Sequence, residues 1–257
     1  MTKQSSSRTS WQKVGKWYND VVGEHGHYYH QTLILPNVLK LLKFSKNEKY
    51  SLLDLACGQG VLSRSIPENV SYVGIDASQD LIKNAKGYAY SDRIQFVQAD
   101  VTAKLPLQSK NFTHATLILA LQNIEHPDAL FKNVTQHLVQ GAPFIIVLNH
   151  PCFRIPRQSS WGVDAEQKIQ YRRINQYMSS LKIPIQAHPG KGSKSAQTWS
   201  FHHPLSSYTL WLSQAGFAID RIEEWCSNKT SEGSAAKMEN RSREEIPLFM
   251  TIVARKI

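Results

Sequence analysis

The sequence predicts an α/β fold with a doubly wound sheet. Three apolar runs predict it: Leu52-Leu53-Asp54-Leu55-Ala56-Cys57-Gly58-Gln59-Gly60, Val73-Gly74-Ile75-Asp76 and Phe96-Val97-Gln98-Ala99-Asp100. Each run ends in an acidic or glycine turn, and intervals of about 20–25 residues are those of consecutive βα units. Ligands of such sheets bind beyond the carboxyl ends of the strands, so all three turns line one crevice.

The residue types in those turns suit a nucleoside-bearing cofactor. Gly58 and Gly60 leave no side chain where the chain turns from strand to helix. A ligand carboxylate or phosphate can therefore approach bare backbone N–H groups at a helix N-terminus. Asp76 ends the second strand, where a carboxylate can accept from both ribose hydroxyls. Asp100 ends the third, where it can accept from an exocyclic adenine amine while the Val101 N–H donates to a ring nitrogen. A nicotinamide or flavin dinucleotide fits less well. Its fingerprint needs a third glycine, and Ser63 stands at that place.

With its hydrophobic strand, acid and Asp-x-x-Cys-Gly-x-Gly turn, the segment resembles the class I S-adenosylmethionine-dependent methyltransferases, closely over residues 45 to 150 and more loosely over the last fifty. The resemblance implies a seven-stranded, mostly parallel sheet whose last strand is antiparallel and inserted between the fifth and sixth. It implies S-adenosylmethionine as cofactor. Asp54, Gly58 and Gly60 would form the first motif, whose backbone holds the methionine part; Asp76 and Ala77 would serve the ribose, Asp100 and Val101 the adenine, and Ala120 the turn beside the sulfur.

Composition is that of one enzyme domain, residues 11–257, behind a polar, Ser-rich tail at 1–10 expected to be disordered. Three cysteines among 257 residues are too few and too scattered for a disulfide framework or a structural zinc site, which points to a reducing cytoplasm. No run approaches a membrane span, and no signal core is present at the start. The net charge of +10 lies mostly outside the nucleotide-binding core and shows no basic run interleaved with aromatics. It fits solvated surface charge or a pocket for an anionic small molecule better than nucleic acid.

Taken in order, residues 11–45 form an N-terminal cover, with a helix beginning near Pro36 because Val38, Leu41 and Leu42 recur at helical spacing. The resemblance places such helices over the cofactor, with Tyr18, Tyr29 and His30 as candidates. His25, His27 and His30 lack a partner at metal-ligand spacing, so no metal is expected. Asp80 to Ala89 is a helix capped near Ser78, and Phe112 to Leu121 a fourth buried strand. A helix from Asp128 to Val139 ends at Gly141, and Pro143 to Leu148 is the fifth strand. Residues 151–204 are an insertion at the mouth of the crevice, hence a substrate lid. Leu205 to Ala215 is a helix, Gly216 to Trp225 a sixth strand, Ser227 to Glu245 a long polar loop and Pro247 to Ala254 the last strand.

These positions nominate the acceptor side. Asn149 and His150 leave the fifth strand toward it, and Arg154, Arg157, Trp161, Arg172 and His202 belong to the lid. Arginines there suit a carboxylate or phosphate through bidentate bonds. Methyl transfer from a sulfonium needs in-line alignment and a base only where the acceptor loses a proton. His150 is the first candidate base, His126 the second and His202 the third. The expected acceptor is a small molecule, anionic or aromatic. Cys152 raises ring-carbon methylation of RNA, but Gln122-Asn123-Ile124 stands where the partner Pro-Cys motif would be. Protein methylation and a non-catalytic cofactor-binding protein are the remaining alternatives.

Overall fold

The computed structural model describes residue 23, residues 25–186 and residues 197–257; the expected tail at 1–10 and Tyr18 lie outside them. A π-helical turn, His30–Ile34, runs into α1 (Leu35–Leu42), whose Pro36 sits in the first turn and whose Val38, Leu41 and Leu42 are buried. β1 (Tyr50–Leu55) and β2 (Val70–Asp76) follow, then α2 (Gln79–Gly87), capped by the Ser78 hydroxyl accepting from the Leu81 N–H. β3 (Ile94–Gln98), β4 (His114–Ile118), α3 (Pro127–Thr135) and β5 (Pro143–Asn149) complete the first half.

After β5 the chain builds two antiparallel hairpins, β6 (Ser159–Asp164) with β7 (Ile169–Ile174) and β8 (Leu181–Gln186) with β9 (Gln197–His202). It then returns through α4 (Leu205–Gln214), β10 (Phe217–Trp225), α5 (Ala236–Glu245) and β11 (Phe249–Lys256). The main sheet has the order β10-β11-β5-β4-β1-β2-β3, with β11 antiparallel to both of its neighbours. This is the architecture the sequence implied, including the last strand's place.

Burial on both faces explains the near-continuous apolar runs. Leu53, Leu55, Ile146 and Leu148 point to a core shared with α3 and α4, around Phe131, Phe144 and Tyr208. Leu52, Ile145 and Val147 point the other way, onto Val38 and Leu42 of α1 and onto Tyr72, Phe96 and Trp225.

Three expectations are corrected. The chain after Gly60 forms a short 3₁₀ turn, Val61–Arg64, instead of an α-helix, so the glycine turn has no helix N-terminus behind it. The fourth strand is shorter than Phe112 to Leu121, because Phe112 only bridges to Leu138 and Leu119 adopts a left-handed φ of 52°. Part of the polar stretch from Ser227 to Glu245 is helical in α5. Its straight-chain Lys, Glu, Met and Arg residues favour helix without apolar periodicity. The Glu239–Arg243 pair one turn apart, at 3.6 Å, adds to it.

Candidate functional site

Parallel strands put the ends of β1, β2, β3, β4 and β5 along one edge of the sheet, where five turns converge. At the end of β1 the chain reverses through Ala56, Gly58 and Gly60, with φ of 49°, 57° and 72°. Gly60 is needed there on a second count: a Cβ would stand 2.5 Å from the Phe96 ring. The Cys57 N–H donates to Ile75 O at 2.9 Å, tying this turn to β2.

Asp76 lies against the turn, only 9% exposed. Its Oδ2 accepts from the Gly58 N–H at 2.9 Å and its Oδ1 from the Ser78 N–H at 2.8 Å. Burial lifts its pKa, and the N–H groups of Ser78, Gly58 and Ala77 oppose the rise. The Gly58 N–H, expected to face a ligand, is thus committed to a carboxylate of the site itself. With three N–H groups on its two oxygens, the carboxylate still has a lone pair for a ligand hydroxyl. Asp54, beneath the turn, is engaged on both oxygens, by Tyr72 OH at 2.6 Å and Thr116 Oγ1 at 2.7 Å. It braces β1, β2 and β4 from inside the sheet instead of facing the crevice.

Asp100 is half-buried at the end of β3. Its Oδ1 accepts from the N–H and hydroxyl of Thr102 at 2.8 and 2.7 Å, which leaves Oδ2 for a ligand amine. The Ala99 N–H donates to Asp76 O at 3.0 Å and sets the two acids side by side along the edge. Ala77 is half-buried, while Val101 and Ala120 are buried and form apolar wall. At the end of β4, Leu119 O accepts from Gln122 Nε2 at 2.7 Å and from Asn123 Nδ2 at 3.4 Å, so two side chains hold a left-handed non-glycine residue in place.

The segment before α1 closes on the glycine turn. Gln59 Nε2 donates to Gly23 O. Gly26 approaches both His30 and Val61 so closely that a Cβ would lie 2.6 Å from His30 Cβ and 3.1 Å from Val61 Cγ1. His30 is buried against the His27 ring, 4.1 Å between centroids, and burial drives its pKa down to about 3, with His27 adding to the effect. Two buried polar atoms at this place, Gln59 Oε1 and His30 Nδ1, have no partner among the described residues. Tyr29 ties the segment to the far side through Ser227 Oγ at 2.8 Å and the Phe249 ring at 5.5 Å.

On the acceptor side, Gln122, Leu148, Asn149, Arg154, His202 and Tyr208 line one narrow cavity between the ends of β4 and β5 and the second hairpin. The Lys182–Glu125 ion pair, at 2.8 Å, joins that hairpin to the turn after β4. Trp161 lies between two guanidinium groups, 5.5 Å from that of Arg154 and 5.1 Å from that of Arg172. Arg172 is held by Phe153 O at 2.7 Å and Ser159 Oγ at 2.8 Å. Arg157 is exposed and stands apart.

The histidines are reordered by their hydrogen bonds. His150 is 2% exposed, with Nδ1 accepting from the Cys152 N–H at 3.2 Å and Nε2 2.6 Å from Glu224 Oε1. Both nitrogens are occupied, so the ring has no lone pair for a substrate proton. Burial lowers its pKa against the opposing pull of Glu224. His126 is exposed at the start of α3. His202 lines the cavity and sets its Nε2 2.7 Å from Tyr177 O, which fixes the proton on Nε2 and the lone pair on Nδ1. Burial lowers its pKa too, partly offset by the Tyr177 carbonyl, so the ring is neutral at pH 7. The sequence ranked this residue third because its place on a hairpin had no signature.

Residues 52–141 match the family profile described as a methyltransferase domain. Over 110 residues the chain is 34% identical to the carboxy-S-adenosyl-L-methionine synthase of Staphylococcus epidermidis, an alignment covering 40% of this chain and 47% of that protein. The chain thus spans about half the length of the curated relative it matches. Among solved structures, an S-adenosylmethionine-dependent methyltransferase from Mesorhizobium loti superposes with a TM-score of 0.66 at 24% identity, over 86% of this chain and 96% of that one. A putative enzyme of the same description from Listeria monocytogenes gives a TM-score of 0.66 at 21% identity, over 87% and 98%. These likenesses establish the fold. The matched segment contains the glycine turn, Asp76, Asp100 and Ala120.

Proposed function

We propose that this chain is a class I S-adenosylmethionine-dependent methyltransferase and transfers the cofactor's methyl group to a small-molecule acceptor. The observation that carries this reading is the convergence of the glycine turn, Asp76 and Asp100 on one edge of the sheet, beside a separate narrow cavity of mixed polar and apolar lining under the inserted hairpins. Two orphaned buried polar atoms at the glycine turn, Gln59 Oε1 and His30 Nδ1, fit a ligand with hydrogen-bonding groups of its own.

Bound there, S-adenosylmethionine supplies a sulfonium methyl that is already electrophilic. The protein's part is alignment and exclusion of water. Asp76 and Ala77 would hold the ribose, Asp100 and Val101 the adenine, and the turn from Ala56 to Gly60 the methionine portion, with Asp54 bracing that turn from beneath. Ala120 and Gln122 form the border between the two sites. Asn149 and the hairpins position the acceptor, and His202 Nδ1 takes a proton where the acceptor atom must lose one.

Calorimetric titration with S-adenosylmethionine, S-adenosylhomocysteine and NAD(H) tests this first. Micromolar binding of the two sulfur nucleosides alone is the expected result. Binding of NAD(H) alone, or of none of the three, would overturn the reading.

A further inference from the structure

Two buried atoms in the acceptor cavity are of opposite polarity, and neither has a partner among the described residues: the donor Arg154 Nε and the acceptor Gln122 Oε1. Their own anchoring makes this informative. Gln122 spends its amide N–H on Leu119 O, which aims its oxygen elsewhere. Arg172, the neighbouring arginine, has protein acceptors for its Nε and Nη2, whereas among the described residues the Arg154 Nε has none and its guanidinium keeps the Trp161 ring, 5.5 Å away, and the electrostatic pull of Tyr29. A buried guanidinium N–H without an acceptor is unfavourable in the free protein, because its desolvation is uncompensated.

Resting on the methyltransferase reading, we propose that this narrow cavity is the head-group end of the subsite for an acceptor bearing an oxyanion next to a protic group, with Arg154 taking the oxyanion and Gln122 Oε1 the protic group while the body of the acceptor stays outside it. A carboxylate or a phosphate supplies the same acceptor oxygens for the fork of a guanidinium. The protic group held by Gln122 then lies in the cavity that His202 also lines, where an acceptor amine can donate one N–H to Gln122 Oε1 and lose another to His202 Nδ1, and a hydroxyl passes its one proton from Gln122 to His202 as the oxygen gains the methyl. Burial depresses the Arg154 pKa to about 10, the nearby Arg172 charge adding to this and Tyr29 opposing it, which is the condition a bound oxyanion would relieve.

Calorimetry on the full chain saturated with S-adenosylhomocysteine tests the proposal with four probes: 3-hydroxybenzoate, 3-hydroxyphenyl phosphate, benzoate and the neutral 3-hydroxybenzamide. At least one anionic hydroxy probe should bind more tightly than the amide, and the carboxylate and phosphate arms then identify the source of the charge. Arg154→Met should weaken that probe by about tenfold or more, as loss of a charge-assisted bond does. Gln122→Met should weaken the hydroxy probe and leave benzoate unchanged. Thermal unfolding of Arg154→Met should occur at or above the wild-type temperature, which separates loss of binding from loss of fold. Equal binding of acid and amide, or an unaffected Arg154→Met, overturns the proposal while leaving cofactor binding intact. Absence of S-adenosylhomocysteine binding overturns the methyltransferase reading and this inference with it.

Discussion

Asp54→Asn should stabilise the fold at neutral pH, although it alters the acid of the first motif. The Asp54 carboxyl is 3% exposed, and burial is the largest influence on it. Burial, with a further push from the Asp76 charge, lifts its pKa to about 6 against the opposing bonds from Tyr72 and Thr116. In the unfolded chain the same group titrates at about 3.9. The folded value is the higher one, so the native state holds the proton longer, and stability falls as pH rises from about 4 to about 6 before levelling off. The loss is at most about 3 kcal/mol, each unit of pKa being worth about 1.4 kcal/mol. Asparagine keeps the volume and both bonds: its oxygen accepts from Thr116 Oγ1, and its amide donates to a rotated Tyr72 hydroxyl.

Urea unfolding of wild type and Asp54→Asn at intervals from pH 4 to pH 8, analysed as the difference between the two, isolates this group. The buried histidines titrate in both proteins and cancel. The expected difference is near zero at the acid end and grows through the pH 4–6 window toward about 3 kcal/mol in favour of the variant. A difference that stays flat across that window, or a variant less stable at pH 7, would refute the reasoning.

Gly60→Ala combines a left-handed φ of 72° with a Cβ 2.5 Å from the Phe96 ring, and should destabilise the protein by about 2–3 kcal/mol in chemical denaturation. Asp76→Ala should weaken S-adenosylhomocysteine binding by about 1.5–3 kcal/mol in calorimetry, and unaltered affinity would place the site elsewhere. His150→Ala orphans the Cys152 N–H and removes packing on Phe153, so its melting temperature should fall, by about 2–4 kcal/mol in stability, with cofactor affinity near wild type. A wild-type melting curve would mean that its bonds to Cys152 and Glu224 are dispensable. His202→Gln keeps a donor for Tyr177 O but loses the basic nitrogen. For any acceptor that must be deprotonated, wild-type turnover should fall on acidification through a midpoint below the ordinary histidine range. That acid limb should vanish, with turnover low throughout, in the variant; an intact limb would remove His202 as the base.

The convergence of the proposed cofactor residues on one edge was legible because they stand at the ends of successive strands. A strand ending in Gly58-Gln59-Gly60, and acids at the ends of the next two strands, can be placed by counting. The proposed acceptor side was legible only as a list of residue types. Whether His150 or His202 carries a usable lone pair depends on Glu224, 74 residues from the first, and on Tyr177, 25 residues from the second. Arg154 and Arg172 look equivalent in sequence and differ only in what their guanidinium groups touch. The helix α5 was missed for a different reason: a surface helix with only Ser242 buried has no apolar stripe to detect.

What no local pattern announced is where the fold is strained. Ala56 and Leu119 both hold left-handed φ, of 49° and 52°, at the ends of the adjacent strands β1 and β4. Neither is a glycine, and each such residue costs of order 1–3 kcal/mol. The surrounding bonds keep them so: Cys57 N–H to Ile75 O after the first, and Leu119 N–H to Val147 O with Gln122 and Asn123 gripping its carbonyl after the second. The first strain lies in the glycine turn of the proposed cofactor site. The second precedes Gln122, which lines the cavity proposed for the acceptor. The other left-handed non-glycine residues among the described ones, Lys43, Arg157, Lys168 and Gln176, are exposed, so these two, with the raised pKa of Asp54 and the unpartnered Arg154 Nε, are unfavourable terms at one edge of the sheet. Stability is lost there in a pattern that a purely structural role would not require, and a bound cofactor and an anionic acceptor would restore it.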